Sequence, residues 1–122
     1  TSTTEVIDLL LTYLNGMGEK GRLVTINKGQ ESLGWATFFI ARTLEEADSF
    51  HARPIFDTSL IDFPQGTIAY IDKMAVTSWN RELRLLFERE IRQMFPQLSY
   101  AVWYRPTEGE DRRVVRCLRP IQ

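Results

Sequence analysis

The sequence predicts an α+β fold in which one mixed β-sheet is flanked by helices. Two stretches near the N-terminus alternate apolar and polar residues across a glycine-containing turn, which is typical of an antiparallel hairpin. A third such stretch leads into the clearest amphipathic helix of the chain, and two more short strand-like segments follow that helix. Helices and strands are therefore interleaved, and the sheet they predict contains both parallel and antiparallel neighbours.

Length and composition indicate one folded domain over residues 1–122, because the composition does not shift along the chain. The content of 43% hydrophobic and 11% aromatic residues excludes disorder as a general description. A formal charge of −1 lacks the basic excess of proteins that bind nucleic acid through its phosphates. No apolar run approaches the ~20 residues that a membrane span needs.

The first half of the chain contains the less regular elements. A threonine at position 3 or 4 is expected to cap the first helix, and Asn15-Gly16 to end it, since glycine tolerates a left-handed cap. Gly34 lies inside a predicted strand and therefore indicates a bulge or a close backbone approach. After the first helix, the predicted elements are strands over 22–27 and 33–40, a short helix over 43–50 and a loop over 52–66.

The second half forms a strand–helix–strand unit. Residues 67–76 alternate as a strand, 80–95 form a helix that stops at Pro96, and strands follow over 98–105 and 113–118. A helix of this length permits the strands on either side of it to be parallel neighbours. One face of the first strand is predicted to hold Ile68, Tyr70, Asp72, Met74 and Val76. The apolar stripe of the helix is predicted to be Leu83, Leu86, Phe87, Ile91 and Met94.

These residues resemble a known family. The segment Tyr70-Ile71-Asp72-Lys73-Met74-Ala75, the long helix, Met94-Phe95-Pro96 and the closing strands look like the core of the RTX toxin-activating lysine acyltransferases. The upstream Leu33-Gly34-Trp35-Ala36 and Thr43-Leu44-Glu45-Glu46-Ala47 are similar as well, so the resemblance covers residues 22–118. It implies a GNAT-like fold, in which two central strands split and a thioester donor binds at the start of the next helix.

The resemblance also implies a reaction: transfer of an acyl group from acyl carrier protein to a lysine of an acceptor protein. Asp72 matches the aspartate of the family's catalytic pair, whereas the motif histidine has no counterpart in residues 1–21. His51 is the one histidine of the chain and lies outside that motif. It is a second catalytic candidate because an imidazole titrates near neutral pH, although an exposed loop histidine without a catalytic role is the alternative.

The resemblance implies that the acyl donor binds at the start of the long helix. Ser78 and Asn80 stand at the start of the long helix and are candidates either for donor contacts or for helix capping. The connection over 76–81 lacks the glycines that let backbone N–H groups approach a coenzyme A pyrophosphate in GNAT enzymes. A carrier-protein donor, with no bound cofactor, is therefore expected.

Three further groups of residues allow both a functional and a structural interpretation. Aromatic residues could line an acyl groove or pack in a core or dimer interface: Trp35, Trp79, Trp103 and Tyr104. A C-terminal basic cluster could meet an acidic carrier protein or a phosphate backbone, or could keep an edge strand soluble: Arg112, Arg113, Arg116 and Arg119. Cys117 alternates inward and is expected to be buried.

The cysteine and histidine counts restrict the chemistry further. One His and one Cys are too few for a Cys/His zinc site, so no metal is expected, and a lone Cys forms no intrachain disulfide. The chain is accordingly expected in the cytoplasm or inside a virus particle.

Two functions remain open from the sequence. The first is a GNAT-like acyltransferase, and the second is a catalytically inactive binding or structural module, such as a bacteriophage virion-associated protein with a degenerate GNAT-like fold. A small domain with aromatic residues on a strand near its sheet edge also predicts a homodimer or docking into a larger assembly.

Overall fold

A computed structural model describes residues 2–118, and within that range the chain forms three helices and five strands. The elements are α1 (Thr3–Glu19), β1 (Leu23–Lys28), β2 (Glu31–Ala41), α2 (Leu44–His51), β3 (Ile68–Val76), α3 (Arg81–Met94), β4 (Tyr100–Pro106) and β5 (Asp111–Cys117). All strands belong to one sheet in the order β1-β2-β3-β4-β5, with β3 and β4 parallel and every other pair antiparallel. This confirms the predicted α+β class and the GNAT-like mixed sheet. None of these helices combines the length and apolar character of a membrane span.

Helix α1 differs from the prediction at both ends. Ser2 is the N-cap, and it forms a capping box with Glu5. The helix continues through Gly16 because the next side chain, Met17, is fully buried and holds that turn against the core. The left-handed residue comes later, at Gly21, whose φ is 70°.

The helices cover opposite faces of the sheet. Helix α3 packs Leu83, Phe87 and Ile91 into one core cluster, together with buried residues of β1 and β2. Helices α1 and α2 cover the other face, where Tyr13 and Phe50 pack into a second cluster. The long helix therefore occupies its predicted position, although Leu86 is only partly buried at the edge of its cluster.

The hairpin β1–β2 carries the irregularity that Gly34 predicts. The register of the pair shifts between Ile26 and Asn27, opposite Gly34 and Ser32. A Cβ at Gly34 would lie 2.8 Å from the carbonyl oxygen of Ala75 on β3. Both the bulge and the close backbone approach are therefore present.

Strands β3 and β4 separate after a short pairing. Only three pairs join them, from Ile68 with Tyr100 to Tyr70 with Val102. Beyond these pairs β3 continues against β2, and β4 continues against β5. The central strands of the sheet thus part and leave a cleft between them, as the GNAT-like fold implies.

A β-bulge lies where this parting begins. Thr37 pairs with Lys73 and the adjacent Phe38 pairs with Ile71, so Asp72 is the extra residue on β3. The extra residue changes the alternation of side chains. Val76 consequently packs with the α3 cluster, and the prediction that it shares a face with Tyr70 is wrong.

Substitutions on α3 test this packing. Ile91 is 4% exposed, so Ile91→Ala is expected to lower the free energy of unfolding by ~2–5 kcal/mol through lost apolar burial and a residual cavity. Leu86→Ala, on the partly buried flank of the same helix, is the matched control and should cost less. Equal unfolding midpoints for the two variants in urea would contradict this packing.

Candidate functional site

A groove of about 830 Å³ opens where β3 and β4 part. Apolar side chains from the sheet and from α3 form much of its lining, among them Ile71, Trp103 and Phe87. Trp79 stands at its edge with 52% of its surface exposed. Tyr104 also lines the groove, whereas Trp35 lies on β2 beyond its lining.

A second cavity of about 210 Å³ includes residues from the opposite face of the sheet. Its polar lining includes His51, Tyr70 and Asp111. Asp72 and Lys73 line both this cavity and the larger groove. The parting of the strands therefore brings the two cavities together at Asp72, whose side chain is 15% exposed.

Two phenol groups hold the Asp72 carboxylate. The Tyr13 hydroxyl donates to Oδ2 at 2.5 Å, and the Tyr70 hydroxyl lies 3.3 Å from Oδ1. Lys73 Nζ is 3.7 Å from Oδ1. Because the Tyr13 proton is donated to Asp72, the Thr37 hydroxyl, 2.6 Å from the Tyr13 oxygen, is the donor in that second contact.

Thr37 connects this hydrogen-bond set to the bulge. Its hydroxyl accepts from the backbone N–H of Lys73 at 3.1 Å, directly after the extra residue Asp72. Sequence reasoning did not identify Tyr13 and Thr37, because they lie on α1 and β2, far from Asp72 along the chain. A polar threonine within the otherwise apolar stretch of residues 36–41 was the available signal.

His51 is the last residue of α2, and does not lie in a loop as the non-catalytic interpretation assumed. Its Nδ1 is 3.1 Å from the Tyr70 hydroxyl, and its Nε2 is 2.6 Å from Oδ2 of Asp111. The ring stacks on Tyr104 with a centroid distance of 3.9 Å and an interplanar angle of 5°. The structure thus brings His51 and Asp72 into one cluster, joined through Tyr70.

Burial keeps the tyrosines of this cluster protonated. Desolvation, followed by the hydrogen bond to Asp72, raises the pKa of Tyr13 well above its ordinary value. Desolvation and the charge of Asp72 raise the pKa of Tyr70 in the same direction. For Tyr104, desolvation and a hydrogen bond to Asp48 raise the pKa. All three side chains are neutral hydrogen-bond donors at physiological pH.

The two donor-binding candidates differ in position. Asn80 is the N-cap of α3, and its side chain accepts from the backbone N–H of Leu83 at 2.8 Å. Ser78 is exposed two residues earlier. The backbone N–H of Thr77 donates to the Leu33 carbonyl at 3.1 Å. Two backbone donors near the start of α3 are therefore already satisfied within the protein.

The C-terminal arginines do not form one patch. Arg113 pairs with Asp48 at 2.9 Å, and Arg116 pairs with Glu88 of α3 on the other side of the sheet. Arg112 is exposed, and Arg119 lies outside the described residues. Alternation along β5 places Arg113 on the face opposite to Arg112 and Arg116.

Cys117 is not buried as predicted. It is exposed, because its register partner on β4 is Tyr100, which is itself 43% exposed at this end of the sheet.

Within residues 2–118, no group of three or more His, Cys, Asp or Glu side chains is arranged to hold a metal ion.

Comparisons with protein-family models, with curated proteins and with solved structures found no match. The structure alone therefore gives the class of the protein. It is a GNAT-like α+β domain in which a hydrogen-bonded aspartate lies where the two central strands part.

The raised pKa values predict a loss of stability in alkali. A phenol whose pKa is higher in the folded chain than its ordinary value of 10 stabilises the fold fully below pH 10 and loses that contribution as the pH rises further. The free energy of unfolding should therefore fall above pH 10, and fall less steeply in Tyr70→Phe. Urea unfolding on both sides of pH 10 measures this, with the exposed Tyr100→Phe as control. Identical slopes for Tyr70→Phe and the unmodified protein would contradict it.

Proposed function

We propose that this protein is an acyltransferase that holds an acyl thioester in the large groove and transfers the acyl group to a primary amine. The observation that supports this most is the parting of β3 and β4, which joins the groove to the smaller cavity at Asp72. Donor and acceptor can then approach from opposite faces of the sheet and meet beside one carboxylate.

The groove suits an extended thioester arm. Where β3 and β4 part, the backbone groups along their facing edges lack partners on the opposite strand. Backbone N–H and C=O groups need hydrogen bonds, and an extended ligand with amide groups supplies them as an added strand does. The apolar part of the lining, from Ile71, Phe87 and Trp103, provides a surface on which an acyl chain can be buried.

The smaller cavity suits a cationic amine. Asp72 and Asp111 present carboxylates to it, and Asp57 adds a third. Hydrogen bonds from Ser59 and Arg53 lower the pKa of Asp57 to about 2, so this carboxylate stays ionised. Arg53 pairs with Asp57 and Lys73 lies 3.7 Å from Oδ1 of Asp72, so these two cations offset part of the charge of the three carboxylates and leave the cavity lining with an excess of negative charge.

The reaction requires the amine to lose protons. An alkylammonium loses one proton to become a nucleophile, its nitrogen then forms a C–N bond with the thioester carbonyl carbon, and the C–S bond breaks with its electron pair on sulfur. The proton that the nitrogen releases on forming the amide goes to the thiolate. Asp72 lies where the cavities meet and is the group that we assign as acceptor of the first proton.

The donor is an acyl carrier protein and not coenzyme A. The Asn80 cap and the Thr77 hydrogen bond occupy backbone donors near the start of α3, and the connection over 77–80 contains no glycine. These two N–H groups are therefore not free to bind a pyrophosphate unless their present contacts break. A carrier protein presents its thioester on a flexible arm and makes no such demand; Ser78 and Trp79 are exposed where it would dock.

Asp72→Asn tests the activity. Transfer from an acyl-loaded carrier protein to a lysine-containing peptide, followed by mass spectrometry, should slow by ~100-fold or more when the carboxylate is replaced. Asp8→Asn, the same substitution on the exposed side of α1, should leave the rate unchanged. Equal rates for the Asp72 variant and the unmodified protein would remove Asp72 from the mechanism.

A second candidate function is a non-enzymatic module, of the kind found in a virion-associated protein. The first turns of α1 favour it, because Val6, Ile7, Leu9 and Leu11 are each 45–55% exposed. Apolar side chains grouped in this way mark an interaction surface. The partner of this surface that we propose is a second copy of the chain, since symmetric pairs are the commonest closed assemblies.

Light scattering tests this second candidate. A homodimer should give twice the single-chain mass of 14.2 kDa, and Leu11→Glu on the apolar surface should return the mass to that of one chain. Thr12→Glu, also exposed on α1, is the matched control and should leave the dimer intact. A mass of one chain that persists over a tenfold range of concentration would refute self-association.

A further inference from the structure

A continuous row of hydrogen-bonding groups leads away from Asp72. The Tyr70 hydroxyl lies 3.3 Å from Oδ1 of Asp72 and 3.1 Å from Nδ1 of His51. Nε2 of His51 lies 2.6 Å from Oδ2 of Asp111. Tyr70 and Asp72 are neighbours on β3, and tertiary contacts bring His51 of α2 and Asp111 of β5 into line with them.

The Tyr70 hydroxyl has one proton and can therefore donate only one hydrogen bond, which restricts the donor and acceptor assignments along the row. In the first arrangement His51 is neutral, and its Nε2–H donates to Asp111. Its Nδ1 then accepts a hydrogen bond from the Tyr70 hydroxyl, and a protonated Asp72 donates to the Tyr70 oxygen. When His51 is an imidazolium, Nδ1–H donates to the Tyr70 oxygen and Tyr70 donates to an ionised Asp72. Both arrangements satisfy every contact in the row.

The two arrangements contain the same number of protons. They differ in one proton, which is on Asp72 in the first arrangement and on His51 in the second. We propose that Tyr70 relays a proton from Asp72 to His51 and that Asp111 positions the His51 ring by accepting from Nε2. The proposal rests on the acyl-transfer function above, because the substrate ammonium is the source of the proton. His51 and Asp111 thereby acquire roles that motif matching with Asp72 does not assign.

The balance of the relay is simple. The ammonium gives one proton to Asp72; the Asp72 O–H bond breaks as a bond forms to the Tyr70 oxygen, and the original Tyr70 proton moves to Nδ1 of His51. Asp72 is again a carboxylate and Tyr70 again a phenol. His51 then releases the proton to water, and no oxidant, reductant or further reactant takes part.

Several features of the structure suit His51 to the end of the relay. Its side chain is 33% exposed, compared with 15% for Asp72, so water has better access there. The carboxylate of Asp111, 2.6 Å from Nε2, holds the ring so that Nδ1 faces Tyr70. The raised pKa of Tyr70 keeps its proton in place between transfers.

A neutral aromatic side chain and three charged side chains contact or surround the His51 ring. Tyr104 stacks on it from β4, and Arg53, Asp57 and Lys73 line the same cavity. Any test of the relay must therefore separate transmission through the Tyr70 hydroxyl from the general field of these charges.

Nuclear magnetic resonance of the single histidine makes this separation. The nitrogen-15 shifts of the His51 ring, at one fixed pH, should change on Asp72→Asn when Tyr70 is present. In a Tyr70→Phe background the same substitution should change them little, because phenylalanine keeps the ring and removes the hydroxyl. Tyr104→Phe is the matched control, since it removes a phenol beside His51 whose hydroxyl bonds Asp48 instead. Equal responses with and without the Tyr70 hydroxyl would show coupling through space and overturn the relay.

Transfer kinetics supply the second measurement. Tyr70→Phe should lower kcat and leave KM unchanged, and Tyr100→Phe, the same substitution at an exposed position outside both cavities, should retain the unmodified kcat. If Tyr70→Phe keeps the kcat of the unmodified protein while Asp72→Asn loses activity, the relay is overturned and acyl transfer is supported. If the unmodified protein transfers no acyl group, the proposed function fails, and the resonance experiment still decides whether Tyr70 couples Asp72 to His51.

Discussion

The extra residue at Asp72 is the constraint on which the site depends. A bulge increases the local twist and bends the strand that contains it. Strand β3 keeps its partner β2 through the bulge, whereas its pairing with β4 ends at Tyr70, two residues before the bulge. The same irregularity thus lies beside the opening of the groove and places a carboxylate between the two faces of the sheet.

Burial of polar groups then determines the surroundings of Asp72. A carboxylate or hydroxyl removed from water is costly unless it is hydrogen-bonded, and Tyr13 and Thr37 are at most 1% exposed. Each finds its partner in this cluster, so the polar network satisfies itself. Helix α1 and strands β2 and β3 are held in register by these contacts as well as by the apolar core.

An ion pair holds the loop over 52–66 beside the smaller cavity. Arg22 forms two hydrogen bonds to Asp62, at 2.8 and 2.9 Å, and its guanidinium lies 4.7 Å from the ring centre of Phe95. Asp62 also accepts from the backbone N–H of Ile40 at 2.7 Å. The loop is thereby attached to the sheet, and its residues Arg53 and Asp57 form part of the cavity wall.

Local patterns in the sequence determined the elements, since helix and strand periodicities depend on near neighbours. The α+β class was predicted on that basis, a parallel β3–β4 pair was allowed by the helix length, and Asn80 was one of two candidate caps, whereas Asp72 was singled out by the family resemblance. Contacts between distant segments decided the rest. The bulge moved Val76 to the other face, the burial of Met17 extended α1, and packing brought Tyr13, His51 and Asp111 to Asp72 and its neighbour Tyr70. Residues up to 60 positions apart meet in that cluster, and no periodicity records such a distance because it arises only when the helices pack on the folded sheet.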